Sequence, residues 1–492
     1  MQQHDSATRH MLFNSFEYLL FLPIVFCLYW FVFKPLRWQN LFIVAASYIF
    51  YGAWDYRFLL LIAFTTLCSY ATGLWTGKSL EHNDERKAKY ICIANVAINL
   101  SILGVFKYYN FFIGSFSDLM HLLGVTVHAS SVKLILPVGI SFYTFQALSY
   151  SIDVYKRKIA ATHDIISFFA YISFFPQLVA GPIERATNLL PQFYTRRVFN
   201  YEKAVDGMRL ILWGLFKKIV IADNCAEYVD TVFNNYAGFN GSSLALASVF
   251  FALQIYGDFS GYSDIAIGTA KLFGISLRDN FRTPYFSRDI AEFWKRWHIS
   301  LNKWFVDYVY IPLGGSRTRK VLVARNVFVI FLLSGLWHGA NWTYVAWGLY
   351  HALLFLPLIL LGMNKRNTEV VASNSILPSI KELASMLLTF ILVTIGWIIF
   401  RAESITATWE IIRRVFAFGI WGHPWYGITY KAPTAIAIGV CLVIEWINRK
   451  RPHSFDFSWI RQAWVRMTLY YIILTSIILF SGKNITFIYF QF

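Results

Sequence analysis

The chain has 492 residues, of which 57% are hydrophobic and 14% are charged, whereas soluble globular proteins carry about 25% charged residues. With 19% aromatic residues and a mean hydropathy of +0.48, this composition excludes a soluble enzyme and a disordered chain, and it indicates an integral membrane protein. The net charge of +17 is attributed to basic cytoplasmic loops, because no nucleic-acid motif accompanies it.

In chain order, the polar residues 1–10 are predicted to form an N-terminal extension, with Met11 as a candidate start, and residues 11–492 a single membrane domain. Twelve apolar runs are expected to give about eleven transmembrane helices, the remainder being re-entrant or interfacial. The fold class is therefore an all-α polytopic membrane protein. The runs are 16–33, 39–54, 57–75, 90–106, 133–151, 165–180, 243–256, 321–340, 342–361, 383–400, 432–447 and 465–481.

The distribution of Lys and Arg predicts the orientation of the chain. With the N-terminus outside, the inside loops carry 26 basic residues, against eight on the outside. This asymmetry places the N-terminus on the extracytoplasmic side. The inside loops are 34–38, 76–89, 156–158, 278–325, 364–366 and 449–466.

A predicted helix within 284–315 carries the first candidate functional residues. Trp294, Trp297 and His298 are spaced i, i+3 and i+4, so on a continuous helix they share one face. An aromatic belt at the cytoplasmic interface also explains tryptophan beside basic residues, but it explains His298 poorly. Both interpretations stay open for this segment.

The second candidate is His338, in the apolar run 321–340 between Gly335 and Gly339 and close to Asn341. A polar residue at membrane depth is costly and indicates function. The two glycines each cost about 1 kcal/mol of helix propensity, and in return they allow close packing of another helix or a ligand. Histidine exchanges a proton near neutral pH and can act as a general base. The alternative is a buried histidine satisfied by a neighbouring carbonyl.

Other polar residues at membrane depth are less specific. Asp258 and Asp264 are either functional or structural, in which case they hold helix ends or pair with Lys or Arg. His351 is expected to be structural. No metal-ligand spacing and no phosphate-binding or nucleophile motif occurs in the sequence, so no metal site is predicted.

The segments EFWKRWHISLNKWFVDYVYIPLGG and LLSGLWHGANWTYVAWGLYHA resemble the bacterial membrane-bound O-acyltransferase (MBOAT) family. The nearest branch is that of the alginate and peptidoglycan O-acetylation proteins. The similarity runs from Met11 to Phe492, with long motifs in order. Supporting pieces are MLFNSFEYLLFLPIV at 11–25, LPVGISFYTFQALSY at 136–150, FPQLVAGPIER at 175–185, GYSDIAIG at 261–268 and FIYFQF at 487–492.

The resemblance implies a ring of tilted helices around a central tunnel. Its near-universal histidine matches His338, which is expected to be the general base. The second polar residue of the family matches His298, which is expected to position or protonate the thioester. Further candidates along the tunnel or at the substrate are Trp294, Lys295, Arg296, Trp297, Lys303, Trp337 and Asn341.

The resemblance also implies the reaction: an acetyl group moves from cytoplasmic acetyl-CoA across the membrane toward hydroxyls of a cell-surface or periplasmic polysaccharide. Lys295, Arg296 and Lys303 are expected to hold the phosphates of the donor at the inner mouth. No permanently bound cofactor is expected. An esterase-like extracytoplasmic protein is the expected partner, and the bacterial cytoplasmic membrane is the expected location. D-alanyl transfer from a carrier protein and a polytopic transporter are the alternatives.

Overall fold

The structure is a computed structural model that describes residues 11–127, 131–132, 134–179, 181–417, 421–425, 432–482, 485 and 487–488. Within these ranges all regular secondary structure is helical. The predicted extension 1–10 and the last four residues of the C-terminal motif lie outside the described residues.

The α-helices are α1 (Phe16–Cys27), α2 (Leu36–Gly52), α3 (Leu59–Glu81), α4 (Glu85–Leu103), α5 (Tyr109–Leu122), α6 (Ile140–Tyr155), α7 (Ile165–Ser173), α8 (Phe175–Leu178), α9 (Ala186–Leu189), α10 (Tyr201–Leu215), α11 (Asp223–Phe233), α12 (Gly241–Leu272), α13 (Ile290–Arg296), α14 (Ile299–Phe305), α15 (Lys320–His338), α16 (Trp342–Leu360), α17 (Ile380–Arg401), α18 (Ile405–Phe416), α19 (Ala432–Ile447) and α20 (Ala463–Phe480).

Seven helical segments of the described chain are long and apolar enough to cross a membrane, and two shorter ones are apolar, Phe16–Val32 and Ala432–Ile447. The prediction of an all-α polytopic membrane protein is confirmed, but the predicted number of about eleven spans is not. The seven are Tyr56–Glu81, Glu85–Leu122, Gly241–Leu272, Lys320–His338, Trp342–Leu360, Ile380–Arg401 and Ala463–Phe480.

The run 165–180 shows why the two counts differ. Its first helix ends at Ser173, because Phe174 adopts a ψ of 107°, outside the helical region. Pro176 then lies in the first turn of the short helix that follows, where proline is tolerated. Hydropathy alone does not reveal such a break.

The chain divides into two compact units, residues 1–208 with 266–278 and residues 209–265 with 279–492. In the first unit α3, α4 and α6 pack against one another, and α2 packs against α7. The second unit contains all the residues predicted for the site.

Within the second unit, α15 and α16 form a closely packed helical hairpin. A Cβ atom at Gly335 would lie 2.2 Å from the backbone oxygen of Tyr344, and one at Gly348 would lie 2.3 Å from that of Phe331. Glycine is therefore required at both positions for the two backbones to approach this closely. This approach places His338, the last residue of α15, against the first turns of α16.

The predicted continuous helix through 284–315 is wrong. Helix α13 ends at Arg296, Trp297 is extended, and His298 adopts a left-handed conformation with a φ of 46° before α14 begins. The side-chain amide of Asn302 donates to the carbonyl oxygens of Trp294 and Trp297, at 2.7 Å each. Because these bonds satisfy carbonyls at the end of α13, the helix stops there.

Candidate active site

The break between α13 and α14 brings His298 close to His338. The centroids of the two imidazole rings are 6.3 Å apart, and the residues are only 1% and 4% exposed. Non-glycine residues with a positive φ are uncommon and cluster at functional sites. The local strain at His298 is therefore an independent indication that its position matters.

Asn280, which the sequence analysis did not single out, fixes the orientation of His298. Its Oδ1 accepts hydrogen bonds from the backbone N–H of Ser300 at 3.3 Å and from the Ser300 hydroxyl at 2.8 Å, while its Nδ2 donates to Ser263 at 3.1 Å. The same Oδ1 lies 3.1 Å from Nδ1 of His298. A backbone N–H can only donate a hydrogen bond, so the side-chain oxygen of Asn280, and not its nitrogen, must face Ser300. Because this oxygen can only accept, Nδ1 of His298 carries the proton.

His298 lies outside the candidate membrane-spanning helices. Burial lowers the pKa of its imidazole to about 3, because the charged form loses its hydration. The ring is therefore neutral at physiological pH. With the proton on Nδ1, the Nε2 atom of His298 is a hydrogen-bond acceptor.

Aromatic rings surround His338. The ring centroids of Trp337, Trp347 and Phe400 lie 5.0, 5.2 and 5.4 Å from that of His338. Such an apolar shell lowers the local dielectric and strengthens electrostatic interactions with any reacting group that enters.

Trp294 and Trp297 both belong to this aromatic cluster but occupy different parts of it. Trp294 contacts Trp347 and His351, with ring centroids 5.5 and 4.9 Å apart. Trp297 contacts Trp397 at 4.9 Å. The prediction that Trp294, Trp297 and His298 share one helix face is therefore wrong, because Trp297 and His298 lie between α13 and α14 and are not helical.

The basic residues predicted to hold the donor have different surroundings. The Nζ of Lys295 donates to the carbonyl oxygen of Asn364 at 2.7 Å, and Arg296 forms an ion pair of 2.8 Å with Glu292. Lys303 is exposed on α14. Both Lys295 and Arg296 thus already make contacts within the protein.

Asn341 and Gly339 lie in the short turn between α15 and α16. The Oδ1 of Asn341 accepts from the backbone N–H of Thr343 at 3.0 Å and caps the N-terminus of α16, as is typical of asparagine. A Cβ atom at Gly339 would lie 2.1 Å from the ring of Tyr344. This turn therefore sets the position of His338 at the end of α15.

A network of ion pairs around two buried lysines lies within the second unit. Lys218 contacts Asp223 and Asp258 at 2.8 Å each, and Lys217 contacts Asp264 at 2.8 Å. Of the two interpretations of Asp258 and Asp264, the structure shows pairing with lysine. The sequence analysis did not recognise the two lysines as partners.

This network also binds residues near the C-terminus. Asp258 Oδ2 accepts from the backbone N–H of Ile488 at 2.7 Å, and the ring of Phe487 lies 6.0 Å from that of Phe259. Phe259 in turn contacts His298, with ring centroids 4.7 Å apart. The ion pairs thus support one wall of the site.

The described residues contain no group of three His, Cys, Asp or Glu side chains that fits a metal ion. The arrangement offers a neutral acceptor, His298, and a second buried imidazole, His338. Two such groups in an apolar enclosure suit a reaction that includes a proton transfer.

Comparison with known proteins identifies the family. Residues 48–373 match the membrane-bound O-acyltransferase family, MBOAT. The chain belongs to the MBOAT family. It is an O-acyltransferase by family, and the helices described above make it a multi-pass membrane protein.

Three relatives show the range of the family around this MBOAT protein. A protein of Pseudomonas aeruginosa named probable alginate O-acetylase is 40% identical over 84% of this chain and 76% of its own length. The peptidoglycan O-acetyltransferase of Helicobacter pylori is 29% identical over 98% of both chains. The teichoic acid D-alanyltransferase of Bacillus subtilis is 29% identical over 46% of this chain and 60% of its own length.

The hydrogen bond from His298 to Asn280 predicts a specific pH effect. In Asn280→Asp a carboxylate would face Nδ1, which favours the imidazolium and raises the pKa of His298 from about 3 toward neutrality. We expect the variant to lose activity by at least about tenfold as the pH falls from 8 to 5, because the protonated ring has no free acceptor on Nε2. Wild type should show no such loss from His298.

The measurement is the rate of O-acyl transfer against pH for wild type, Asn280→Asp and Asn280→Ala. The Asn280→Ala variant controls for the lost hydrogen bond. Its rate should be lower than that of wild type at every pH, without the additional loss of activity between pH 8 and 5. Coincident profile shapes for wild type and Asn280→Asp would contradict this role of Asn280.

Proposed function

We propose that this protein transfers an acetyl group from cytoplasmic acetyl-CoA toward hydroxyl groups of a cell-surface or periplasmic polysaccharide. The observation that carries the proposal is the buried pair of His298 and His338, 6.3 Å apart between ring centroids. It occurs in a chain related to proteins named for alginate and peptidoglycan O-acetylation. The location proposed is the bacterial cytoplasmic membrane, with the N-terminus outside, as the basic loops indicate.

In this mechanism His338 is the general base. A hydroxyl oxygen attacks the thioester carbonyl carbon while the His338 imidazole takes the hydroxyl proton. The carbon–sulfur bond then breaks, and the departing thiolate takes the proton from the His338 imidazolium. The products are an O-acetyl ester and free coenzyme A, and His338 returns to its neutral form.

His298 is proposed to position the reacting groups. Its Nδ1–H faces Asn280, so the neutral ring offers only the Nε2 lone pair to the site. Such an atom accepts a hydrogen bond, for example from the attacking hydroxyl, and does not protonate the thioester. The geometry therefore favours positioning over the alternative of protonation.

The other site residues receive supporting roles. Trp294, Trp297 and Trp337 are proposed to line the path of the thioester. The basic residues Lys295 and Arg296 lie at the end of α13, shortly before His298. Together with the exposed Lys303, they are proposed to attract the anionic donor. Asn341 and the two glycines beside His338 are proposed to hold the α15–α16 turn in place.

Transfer to the final polysaccharide is proposed to involve an extracytoplasmic, esterase-like partner protein. The relative named as a teichoic acid D-alanyltransferase covers only 46% of this chain, whereas those named for O-acetylation cover 84% and 98%. This difference supports acetyl over D-alanyl transfer. The family match supports acyl transfer over a transporter.

The donor can be tested on the purified full-length protein in lipid nanodiscs. Acetyl-CoA should release free thiol in a protein-dependent manner, measured with a thiol reagent, and D-alanyl carrier protein should not. Thiol release from the D-alanyl carrier alone would overturn the acetyl assignment in favour of D-alanyl transfer.

A further inference from the structure

Helix α5, in the first unit, has very little support from the rest of the protein. None of its 14 residues is buried within the described part of the chain. Among the described helices, only the π-helical turn Gly104–Tyr108 just before it makes extensive contact with it. A helix of a folded protein normally buries an apolar stripe against its neighbours, so the apolar face of α5 requires a partner elsewhere.

Hydrogen bonds from its polar face attach α5 to the segment that follows it. The side chain of Asn110 donates to the carbonyl oxygen of Val132 at 2.9 Å and accepts from the backbone N–H of the same residue at 3.0 Å. The hydroxyl of Ser117 donates to the carbonyl oxygen of Val127 at 3.3 Å. Asn110 and Ser117 are seven residues apart and share one face of the helix. These bonds therefore leave the other face of α5 open.

The open face of α5 carries a stripe of large apolar side chains. Phe112, Phe116 and Leu119 are spaced i, i+4 and i+7, so they share this face, and they are 60%, 52% and 52% exposed. Asp118 and His121 lie on the polar side of the helix and are exposed as well. The helix is therefore amphipathic, and its apolar face is available to a partner.

The length of the helical segment shows where α5 lies relative to a bilayer. Together with the π-helical turn between them, α4 and α5 form one segment of 38 residues, Glu85–Leu122. This number corresponds to about 57 Å of helix, whereas the hydrocarbon core of a bilayer is about 30 Å thick. Helix α4 alone has 19 residues and a length of about 28 Å. Helix α4 is thus sufficient to span the core, and α5 lies beyond it.

Helix α4 also indicates which partner the stripe on α5 fits. One face of α4, which includes Asn95 and Asn99, is buried, and α4 packs against α3 and α6. The opposite face, which includes Ile93 and Ala97, is apolar and exposed, as is typical of a helix face that contacts lipid. Because only the π-helical turn separates α4 from α5, the apolar stripe of α5 directly follows a lipid-contacting helix. This continuity favours lipid over a protein partner.

We propose that α5 is an interfacial helix that lies along the bilayer surface, at the end of α4 that precedes the π-helical turn. Phe112, Phe116 and Leu119 enter the boundary between the headgroups and the acyl chains, as in other amphipathic surface helices. Asp118 and His121 face the water. The π-helical turn permits the change of direction, because helices commonly bend at such turns. This role of α5 is independent of the acyl transfer reaction.

The test measures how fast a membrane-impermeant maleimide labels single cysteines in the full-length protein in phosphatidylcholine nanodiscs. The variants are Phe116→Cys and Leu119→Cys on the apolar face, Asp118→Cys and His121→Cys on the polar face, and Ile93→Cys on α4 as the lipid-core control. Peptide mass spectrometry separates α5 from the native cysteines, which all lie outside it. We expect the two apolar-face variants to react at least about tenfold more slowly than the two polar-face variants. The Ile93→Cys variant should not react.

Three other results would each overturn the proposal. Equal, rapid labelling of all four α5 variants would show that the helix projects into water. Failure to label any of the four would place α5 inside the hydrocarbon core. Protection of Phe116→Cys and Leu119→Cys in native membranes but not in nanodiscs would assign the apolar stripe to a protein partner instead of lipid.

Discussion

Replacing His338 by alanine is expected to lower acetyl transfer by a factor of about 10² to 10⁴, the range for loss of a general base. The physical reason is that the neighbouring imidazole of His298 is not expected to replace it as a base. His298 is neutral and directed by Asn280 through its Nδ1. The measurement is the rate of thiol release from acetyl-CoA, normalised to the amount of protein in the membrane.

The control for this variant is His82→Ala, which removes an exposed histidine of the first unit. It should leave the rate unchanged. Wild-type acetylation by His338→Ala at a normal protein level would contradict the assignment of His338 as the base. A thermal unfolding curve of the purified variant separates lost chemistry from lost folding.

Replacing Lys218 by methionine is expected to have the largest effect on stability. Lys218 is fully buried and contacts two carboxylates, those of Asp223 and Asp258. Removing one member of a buried ion pair leaves uncompensated charge and typically costs about 3–5 kcal/mol. We expect a strongly lowered melting temperature and little folded protein in the membrane.

A matched control exists in the ion pair of Lys271 with Asp206, which is partly exposed. Lys271→Met should cost about 1 kcal/mol or less, because water screens such pairs. The double variant Lys218→Met/Asp258→Asn should recover part of the lost stability, since it removes one of the two carboxylates left without the lysine. Equal melting temperatures for Lys218→Met and Lys271→Met would refute the importance of the buried network.

The sequence predicts the helical membrane fold and the two histidines, because apolar runs and rare polar residues within them are local features. His338 stands out in this way, between two glycines in an apolar run. His298 stands out because an aromatic belt explains it poorly. The pairing of the two residues in space comes from the structure.

The features that the sequence analysis missed depend on contacts between distant residues. Asn280 lies 18 residues before His298, and no periodicity links them. The helix break at Trp297 depends on the side chain of Asn302. Lys217 and Lys218 resemble interfacial anchors in the sequence, and only their burial beside Asp264 and Asp258 shows otherwise.

One further contact is predictable from the sequence alone. Glu292 lies four residues before Arg296, the spacing that brings opposite charges together on a helix. The ion pair is present at 2.8 Å. Part of the charge of Arg296 is therefore already neutralised by Glu292, which leaves less of it for a donor phosphate.

The most direct test of the account follows the acetyl group and coenzyme A separately. Inside-out membrane vesicles with their native polymer receive acetyl-CoA labelled in the acetyl group with one isotope and in the adenine with another. We expect acetyl label in alkali-labile esters inside the vesicles, while the adenine label stays outside as free coenzyme A. Entry of both labels together, or no transfer of the acetyl label, would contradict it.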